Sequence, residues 1–298
     1  VSKFVVGVIG VGNMGRNHVR VYSELRGVDG ILTYDPDQSV DGLCGSMQVD
    51  SLDDVLESCD AVSICTPTAD HYGHALAALR HKTPCLVEKP ISSSFVSARA
   101  LASHNDSRLI SVGHIERFNP AVLAAADISE KPTFISVRRF NPASSRSPSD
   151  VVHDLMIHDI DIVDHLLLDS DLTVAGAIGD RDCCSALVTG GSCVVSLSAS
   201  RGGSERIRDM YIECPDCSIY CDMITQTVRV ARKPTESSVS DARYHQINSV
   251  ERFVVPPVEP LRAELSSFVD SVRNGSEFPV TVDQAVENMR ICSEIHDS

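Results

Sequence analysis

The chain has 298 residues, enough for two domains of ordinary size, and 43% are hydrophobic, which supplies a core and excludes a disordered chain. Its 26 Lys and Arg against 41 Asp and Glu leave a net charge of −15; nucleic acid as a partner is excluded, since no basic run offsets that field. No apolar stretch approaches the roughly 20 residues that cross a bilayer. Val1-Ser2-Lys3 leads straight into a strand pattern rather than a secretory leader, so a cytoplasmic chain without membrane partners is expected.

Strand-like apolar runs come first at residues 4–9, 31–34, 61–65, 85–87 and 109–112. Helix-length stretches fall between them at 14–25, 52–57, 71–81 and 95–104. The apolar runs are continuous rather than alternating, as in strands buried on both faces of a parallel sheet. The pattern changes near Phe118-Asn119-Pro120. A Ser- and Pro-rich loop over 142–150 leads into one long amphipathic helix over about 153–168. Strands follow in succession at 172–179, 185–189, 192–200, 207–214, 218–222, 227–231 and 252–255, and helices close the chain at 261–274 and 282–296. Strands without intervening helices predict an open, mostly antiparallel sheet. The expected fold class is therefore α/β: an N-terminal Rossmann dinucleotide-binding domain over 1–118 and a C-terminal α+β domain over 119–298. Val194, Leu197, Val228 and Val230 are expected partly on the exposed face of that sheet. Such a face is commonly covered by another subunit, which suggests a homodimer or homotetramer.

The first strand runs into Gly10-Val11-Gly12-Asn13-Met14-Gly15 and then a helix. In that context Gly10 permits the tight turn, Gly12 lets the backbone approach a diphosphate, and Gly15 allows close helix–strand packing. The diphosphate would lie on the free amides of the helix start. Asp35 ends the second strand, 20 residues after Gly15. A carboxylate there bonds the adenosine ribose hydroxyls and repels a 2′-phosphate, so NAD is the expected cofactor rather than NADP.

Of the eleven cysteines, Cys65, Cys85 and Cys193 sit inside strand patterns, as small hydrophobes. Cys214-Pro215-Asp216-Cys217 has zinc-ligand spacing but no matching second pair, and Pro215-Asp216 looks like the turn of a β-hairpin, so no metal is expected. Two segments carry candidate chemistry. Lys89, in Glu88-Lys89-Pro90, stands at the C-terminal end of a parallel strand, the edge where ligands bind. Asp154, His158 and Asp161 fall at i, i+4 and i+7 of the long helix and would share one face. A carboxylate one turn from an imidazole can orient it as a general base; a solvated face or part of a metal site are the competing readings.

These motifs in this order resemble the glucose–fructose oxidoreductase, inositol dehydrogenase and MocA family over nearly the whole chain. The resemblance rests on the Gly-rich turn with Asn13-Met14, on Cys65-Thr66-Pro67-Thr68 followed by His71, on Glu88-Lys89-Pro90, on Gly113-His114-Ile115-Glu116-Arg117-Phe118-Asn119-Pro120, and on Asp154 with His158. Within the family the archaeal-type UDP-N-acetylglucosamine 3-dehydrogenases look nearest, by residues 113–120, 154–161 and Asn17-His18-Val19-Arg20. The resemblance implies Lys89, Asp154 and His158 as catalytic and substrate-binding residues. It sets Thr66, Pro67, His71, Glu88 and Lys89 along the cofactor, and Arg117 and Asn119 near the substrate. His158 would be the base, oriented by Asp154, with Lys89 on the same oxygen; the roles of Lys89 and His158 are exchangeable. The substrate would be a sugar-like alcohol, oxidised at C3 in a UDP-N-acetyl-hexosamine, with a free polyol, aldose or inositol as the alternative. A non-catalytic, sugar-sensing regulator shares the fold. Candidate cations for a sugar diphosphate are Arg138, Arg139, Arg201 and Arg206, the last two in an expected flexible loop over 201–206. The family's small, Gly-rich residues ahead of the catalytic Asp are replaced here by Ser149-Asp150-Val151-Val152-His153.

Overall fold

The computed structural model describes residues 3–104, 106–142, 149–234, 236–240 and 243–298; most of the expected 142–150 loop lies outside them. The chain forms two compact units, Val1–Phe118 with Glu259–Arg290, and Asn119–Val258 with Ile291–Ser298. The sequence suggested a single crossing at 118/119; in the structure residues 259–290 return to the first unit.

The first unit is built on a six-stranded sheet in the order β3-β2-β1-β4-β5-β6, comprising β1 (Val5–Ile9), β2 (Gly30–Tyr34), β3 (Met47–Gln48), β4 (Ala61–Ile64), β5 (Cys85–Glu88) and β6 (Ile110–Gly113). All five neighbouring pairs are parallel. Helices α1 (Asn13–Glu24), α2 (Leu52–Ser58), α3 (Thr68–His81) and α4 (Phe95–Ala102) lie between the strands in the chain. Val6, Val8, Val62, Ile64, Leu86 and Val112 are fully buried, each stabilising the fold by about 1.5–3 kcal/mol. Helix starts are set by local chemistry: Ser51 accepts from the Asp54 amide (3.1 Å) and Ser94 from the Ser97 amide (3.2 Å). Lys82, in a left-handed conformation, ends α3. The strand order reverses between β1 and β4, the place where a parallel sheet opens a crevice for ligands.

Helix α7 (Pro260–Asn274) closes this unit against α1, and the Arg273 guanidinium lies 4.7 Å from the centroid of the Phe4 ring. Phe278 stacks on Phe118 at 5.6 Å, and Val112 donates to the Val280 carbonyl at 3.2 Å. Helix α8 (Val282–Asp297) then begins in the first unit and ends in the second.

The second unit opens with α5 (Pro120–Ile128). The strand after it, β7 (Phe134–Pro142), was not expected, yet it occupies the middle of an eight-stranded sheet. The others are β8 (Leu172–Gly179), β9 (Cys183–Gly190), β10 (Cys193–Gly203), β11 (Ile207–Glu213), β12 (Cys217–Asp222), β13 (Thr227–Arg232) and β16 (Val250–Phe253), in the order β16-β13-β12-β11-β7-β10-β9-β8. Only the β7–β10 pair is parallel. A separate hairpin, β14 (Glu236–Ser240) with β15 (Arg243–Ile247), was also not foreseen. One sheet face is covered, through α5 against β12 and β13 and the Val152–Met156 turn against β10. Leu197, Val228 and Val230 lie buried on that face, against expectation; of the four named residues only Val194 is on the open face. The open face is largely polar. Ser185 and Ser198 bond each other at 2.9 Å, and Arg138 and the Tyr220 hydroxyl both donate to Asp209.

The expected 153–168 helix is present but wound in three pieces, with wide π-type turns over Val152–Met156 and Val163–Leu167 flanking α6 (Ile157–Ile162). Asp154 therefore lies in a wide turn while His158 and Asp161 lie in the α segment, so the i, i+4 geometry expected of one regular helix does not extend to Asp154. Residues 201–203, expected in a flexible loop, are the last of β10.

Candidate active site

At the end of β1, Gly10 has φ +82°, and a Cβ there would stand 2.7 Å from the Thr66 amide nitrogen. A Cβ on Gly15 would meet the Gly10 carbonyl oxygen at 2.0 Å, so glycine is required for α1 to approach the strand. A Cβ on Gly12, by contrast, would meet nothing within 4 Å, and Gly12 caps α1 without a side-chain bond. The helix start beside Gly12 thus has room for an anion next to the unpaired amides that open any helix. The family's dinucleotide is implied here, and these residues fit it.

Asp35 ties this turn to the next loop. Its carboxylate accepts from the Val11 amide at 2.7 Å, the Asp37 amide at 2.9 Å and the Gln38 amide at 3.0 Å. Two oxygens carry about four acceptor sites, so capacity for a ribose hydroxyl remains. Asp35 lines a cleft of about 450 Å³ together with Gly10, Gly12, Thr66, Pro67 and His74. Thr66 Oγ1 lies 3.2 Å from His74 Nδ1, and burial holds that imidazole below its usual range against the pull of Asp70.

Glu88, Lys89 and Pro90 follow at the C-terminal edge of the sheet. Lys89 is half-buried and is joined to Pro90 by a cis peptide. Glu88 is buried and lies 2.9 Å from Nε2 of His18, itself fully buried on α1. Burial pushes the Glu88 carboxyl up, but the His18 bond, with the charges of His18, Lys89 and His71, holds it below the usual range. His71 is buried, and both its ring nitrogens meet main-chain carbonyls, of Pro90 and of Thr66. It therefore braces the two loops rather than presenting a free edge to a cofactor. His18 was missed as a site residue; the signal was a lone histidine three residues past the Gly-rich turn.

Arg117 is buried in the first unit and donates to Gln284 Oε1 at 3.3 Å. In the second unit, Asn119 caps α5, accepting from the Ala121 amide and donating to the Met223 carbonyl, both at 3.1 Å. It is 2% exposed, and these two bonds fix the start of α5. Asp154 Oδ2 receives Arg201 Nη2 at 3.0 Å, and the same guanidinium reaches the Ser149 carbonyl (2.7 Å) and Asp182 (3.5 Å). Arg201, taken from sequence as a sugar-diphosphate cation, thus holds Asp154. His158 is buried at the start of α6. The next residue, Asp159, forms a fully buried ion pair with Arg139. Arg138 is engaged by Asp209, and Arg206 is exposed between β10 and β11. One turn earlier, Asp150 bonds His153 Nδ1 at 3.0 Å. Burial raises the Asp150 carboxyl, but the His153 bond and charge outweigh that and hold it well below its usual range.

The cysteines are thiols, and the Cys214–Cys217 segment is the turn between β11 and β12, closed by the Cys214 amide on the Cys217 carbonyl at 2.8 Å. Burial, with Cys217 beside it, pushes the Cys214 thiol up to about 11. Among the described residues no helix is long and apolar enough to cross a membrane.

Comparison with known proteins agrees with this geometry. Residues 4–114 match the model of the oxidoreductase family with an NAD-binding Rossmann fold, GFO_IDH_MocA. A UDP-N-acetylglucosamine 3-dehydrogenase from Acidithiobacillus ferrooxidans is 30% identical over 285 residues, covering 89% of this chain and 88% of that protein. A solved structure of that organism's UDP-N-acetylglucosamine 3-dehydrogenase superposes with a TM-score of 0.87 at 27% identity, covering 99% of this chain and 97% of that one. An inositol 2-dehydrogenase from Cereibacter sphaeroides is 28% identical over 193 residues, 59% of this chain and 57% of that protein. The chain belongs to the GFO/IDH/MocA family of oxidoreductases and is an NAD-dependent enzyme of that family.

Proposed function

We propose that this oxidoreductase oxidises a secondary hydroxyl of a sugar, at C3 of a UDP-N-acetyl-hexosamine. The observation that carries the reading is the likeness to a UDP-N-acetylglucosamine 3-dehydrogenase over nearly the full length of both chains, where the inositol dehydrogenase match covers little more than half. NAD, when bound, would supply the hydride acceptor. The cofactor-binding residues are Gly10, Gly12, Asn13, Met14, Gly15, Asp35, Thr66 and Pro67, with His71 and Glu88 behind them. Lys89, Asp154 and His158 are the catalytic and substrate-binding residues. One of Lys89 and His158 takes the hydroxyl proton while the other hydrogen-bonds the same oxygen and stabilises its developing charge. His158 is the first choice as base. Asp154, gripped by Arg201, fixes the wide turn that leads into His158, and such turns recur at functional sites. Arg117 and Asn119 belong with the substrate-binding residues of this proposal.

The test is NADH formation at 340 nm with UDP-N-acetylglucosamine, UDP-glucose, myo-inositol and free aldoses. Wild type turns over the nucleotide sugar fastest. Lys89→Met loses turnover by about 10²-fold or more while NADH still binds. Faster turnover of myo-inositol than of any nucleotide sugar would replace the substrate, and an active Lys89→Met would remove that residue's role.

A homodimer or homotetramer is part of the same proposal. It rests on the open face of the eight-stranded sheet, where Leu187 and Val194 stay 47% and 39% exposed. Light scattering of the purified chain at micromolar concentration reads it directly; a monomer there counts against it.

A further inference from the structure

His71 is 1% exposed in the first turn of α3. Its Nδ1 lies 2.8 Å from the Pro90 carbonyl oxygen and its Nε2 lies 2.9 Å from the Thr66 carbonyl oxygen. Carbonyl oxygens only accept hydrogen bonds. A neutral imidazole has one N–H and one lone pair, so one of these two contacts would set lone pair against lone pair in a buried place. Only the imidazolium donates to both.

The countercharge is at hand in the Glu88 carboxylate, buried at the end of β5, which is bonded by His18 and interacts electrostatically with His71. The two carbonyls joined by the ring belong to different loops at the sheet's C-terminal edge. Thr66 follows β4 and lines the 450 Å³ cleft; Pro90 follows β5 and Lys89. The titratable groups that interact electrostatically with the ring are His74 on α3 and Glu88 at the end of β5; beyond them lie Asp70, which acts on His74, and Lys89 and His18, which act on Glu88.

We infer that His71 is a positioning residue that works as a doubly protonated clamp: its two N–H groups hold the Thr66 and Pro90 loops together, so the cofactor cleft and the Lys89 turn keep their shape only while the ring holds both protons. Loss of one proton turns one of the two bonds into a repulsion, and one loop moves away. The link to NADH affinity rests on the cofactor lying along these loops, as proposed above; the protonation of the ring does not.

The experiment uses the full chain with 15N-labelled histidine. Ring-nitrogen resonances are followed from pH 5.5 to 9, with His71 assigned by its absence in His71→Gln, and NADH affinity is measured by fluorescence at the same pH values. In the expected result, both nitrogens of His71 show the protonated-type shift at low pH. NADH then binds about tenfold more weakly across the interval in which the ring loses its second proton, as for a lost charge-assisted hydrogen bond. His71→Gln binds NADH weakly throughout and lacks that step. A neutral ring at every pH with NADH affinity at full strength overturns the clamp, and so does a His71→Gln chain that keeps the pH step. If His71→Gln does not fold, the wild-type ring titration and affinity curve decide the matter alone, with His71 assigned by its scalar couplings. A doubly protonated ring in a chain that binds no NADH at any pH supports the clamp and removes the cofactor placement instead.

Discussion

Arg139 and Asp159 provide a quantitative handle on the segment that carries His158. Each side chain is 1% exposed, and Asp159 Oδ1 receives Arg139 Nε at 2.8 Å and Nη2 at 2.6 Å. Arg139→Met keeps an unbranched apolar stem but leaves the Asp159 carboxylate buried without its guanidinium. Breaking a buried pair from one side costs about 3–5 kcal/mol, because the remaining charge keeps its desolvation penalty and loses its partner. Two charge-assisted hydrogen bonds at roughly 1.5–3 kcal/mol each give about 3–6 kcal/mol, an overlapping range. Removing both charges in Arg139→Met with Asp159→Leu leaves nothing to desolvate and is expected to recover most of the loss. Urea unfolding followed by circular dichroism supplies the stabilities of the four corners of that cycle. Since Asp159 directly follows His158, turnover should fall in the single variant and partly return in the double. A single-variant loss below about 1 kcal/mol, or a double variant as unstable as the two singles summed, would refute the reasoning.

Two more predictions concern the first unit. Asp35→Ser removes the carboxylate that receives the Val11, Asp37 and Gln38 amides and that would repel a 2′-phosphate. The ratio of kcat/KM for NADP to that for NAD should rise by about tenfold or more, helped by Arg16, which reaches Gln38 at 3.3 Å; an unchanged ratio would count against Asp35 as the discriminator. For Glu88, burial raises the carboxyl but the bond to His18 and the neighbouring positive charge lower it further, so its native value lies below the unfolded one of about 4.3. The stability it contributes is present above that unfolded value and is lost as pH falls through the native one. Urea midpoints between pH 7 and pH 3 should therefore drop more for wild type than for Glu88→Gln, and parallel curves would remove Glu88 from the acid response.

Much of the first unit was legible before any coordinates. The runs at 4–9, 31–34, 61–65, 85–87 and 109–112 became β1, β2, β4, β5 and β6 with ends shifted by one residue at most. Continuous apolar runs, glycines and helix caps act within a few residues of where they are read, so the chain's order of neighbours carries the information. Two-residue β3 left no such trace. The strand β7 was missed because Arg138 and Arg139 interrupt its apolar pattern. One of them finds Asp209 across the sheet and the other finds Asp159 on α6, and no local rule names those partners.

The sequence by itself determined the dinucleotide turn, the acid at Asp35, the strand-end position of Lys89 and the helical segment bearing Asp154 and His158, because each is a short-range pattern of backbone conformation. Tertiary structure alone decided which charges are spent on one another. Arg201 went to Asp154 from 47 residues away, His18 to Glu88 from 70, and residues 259–290 to the first unit. Those choices follow from sheet register and helix packing, which bring distant residues within hydrogen-bond reach once burial has made an unpaired charge too costly to keep.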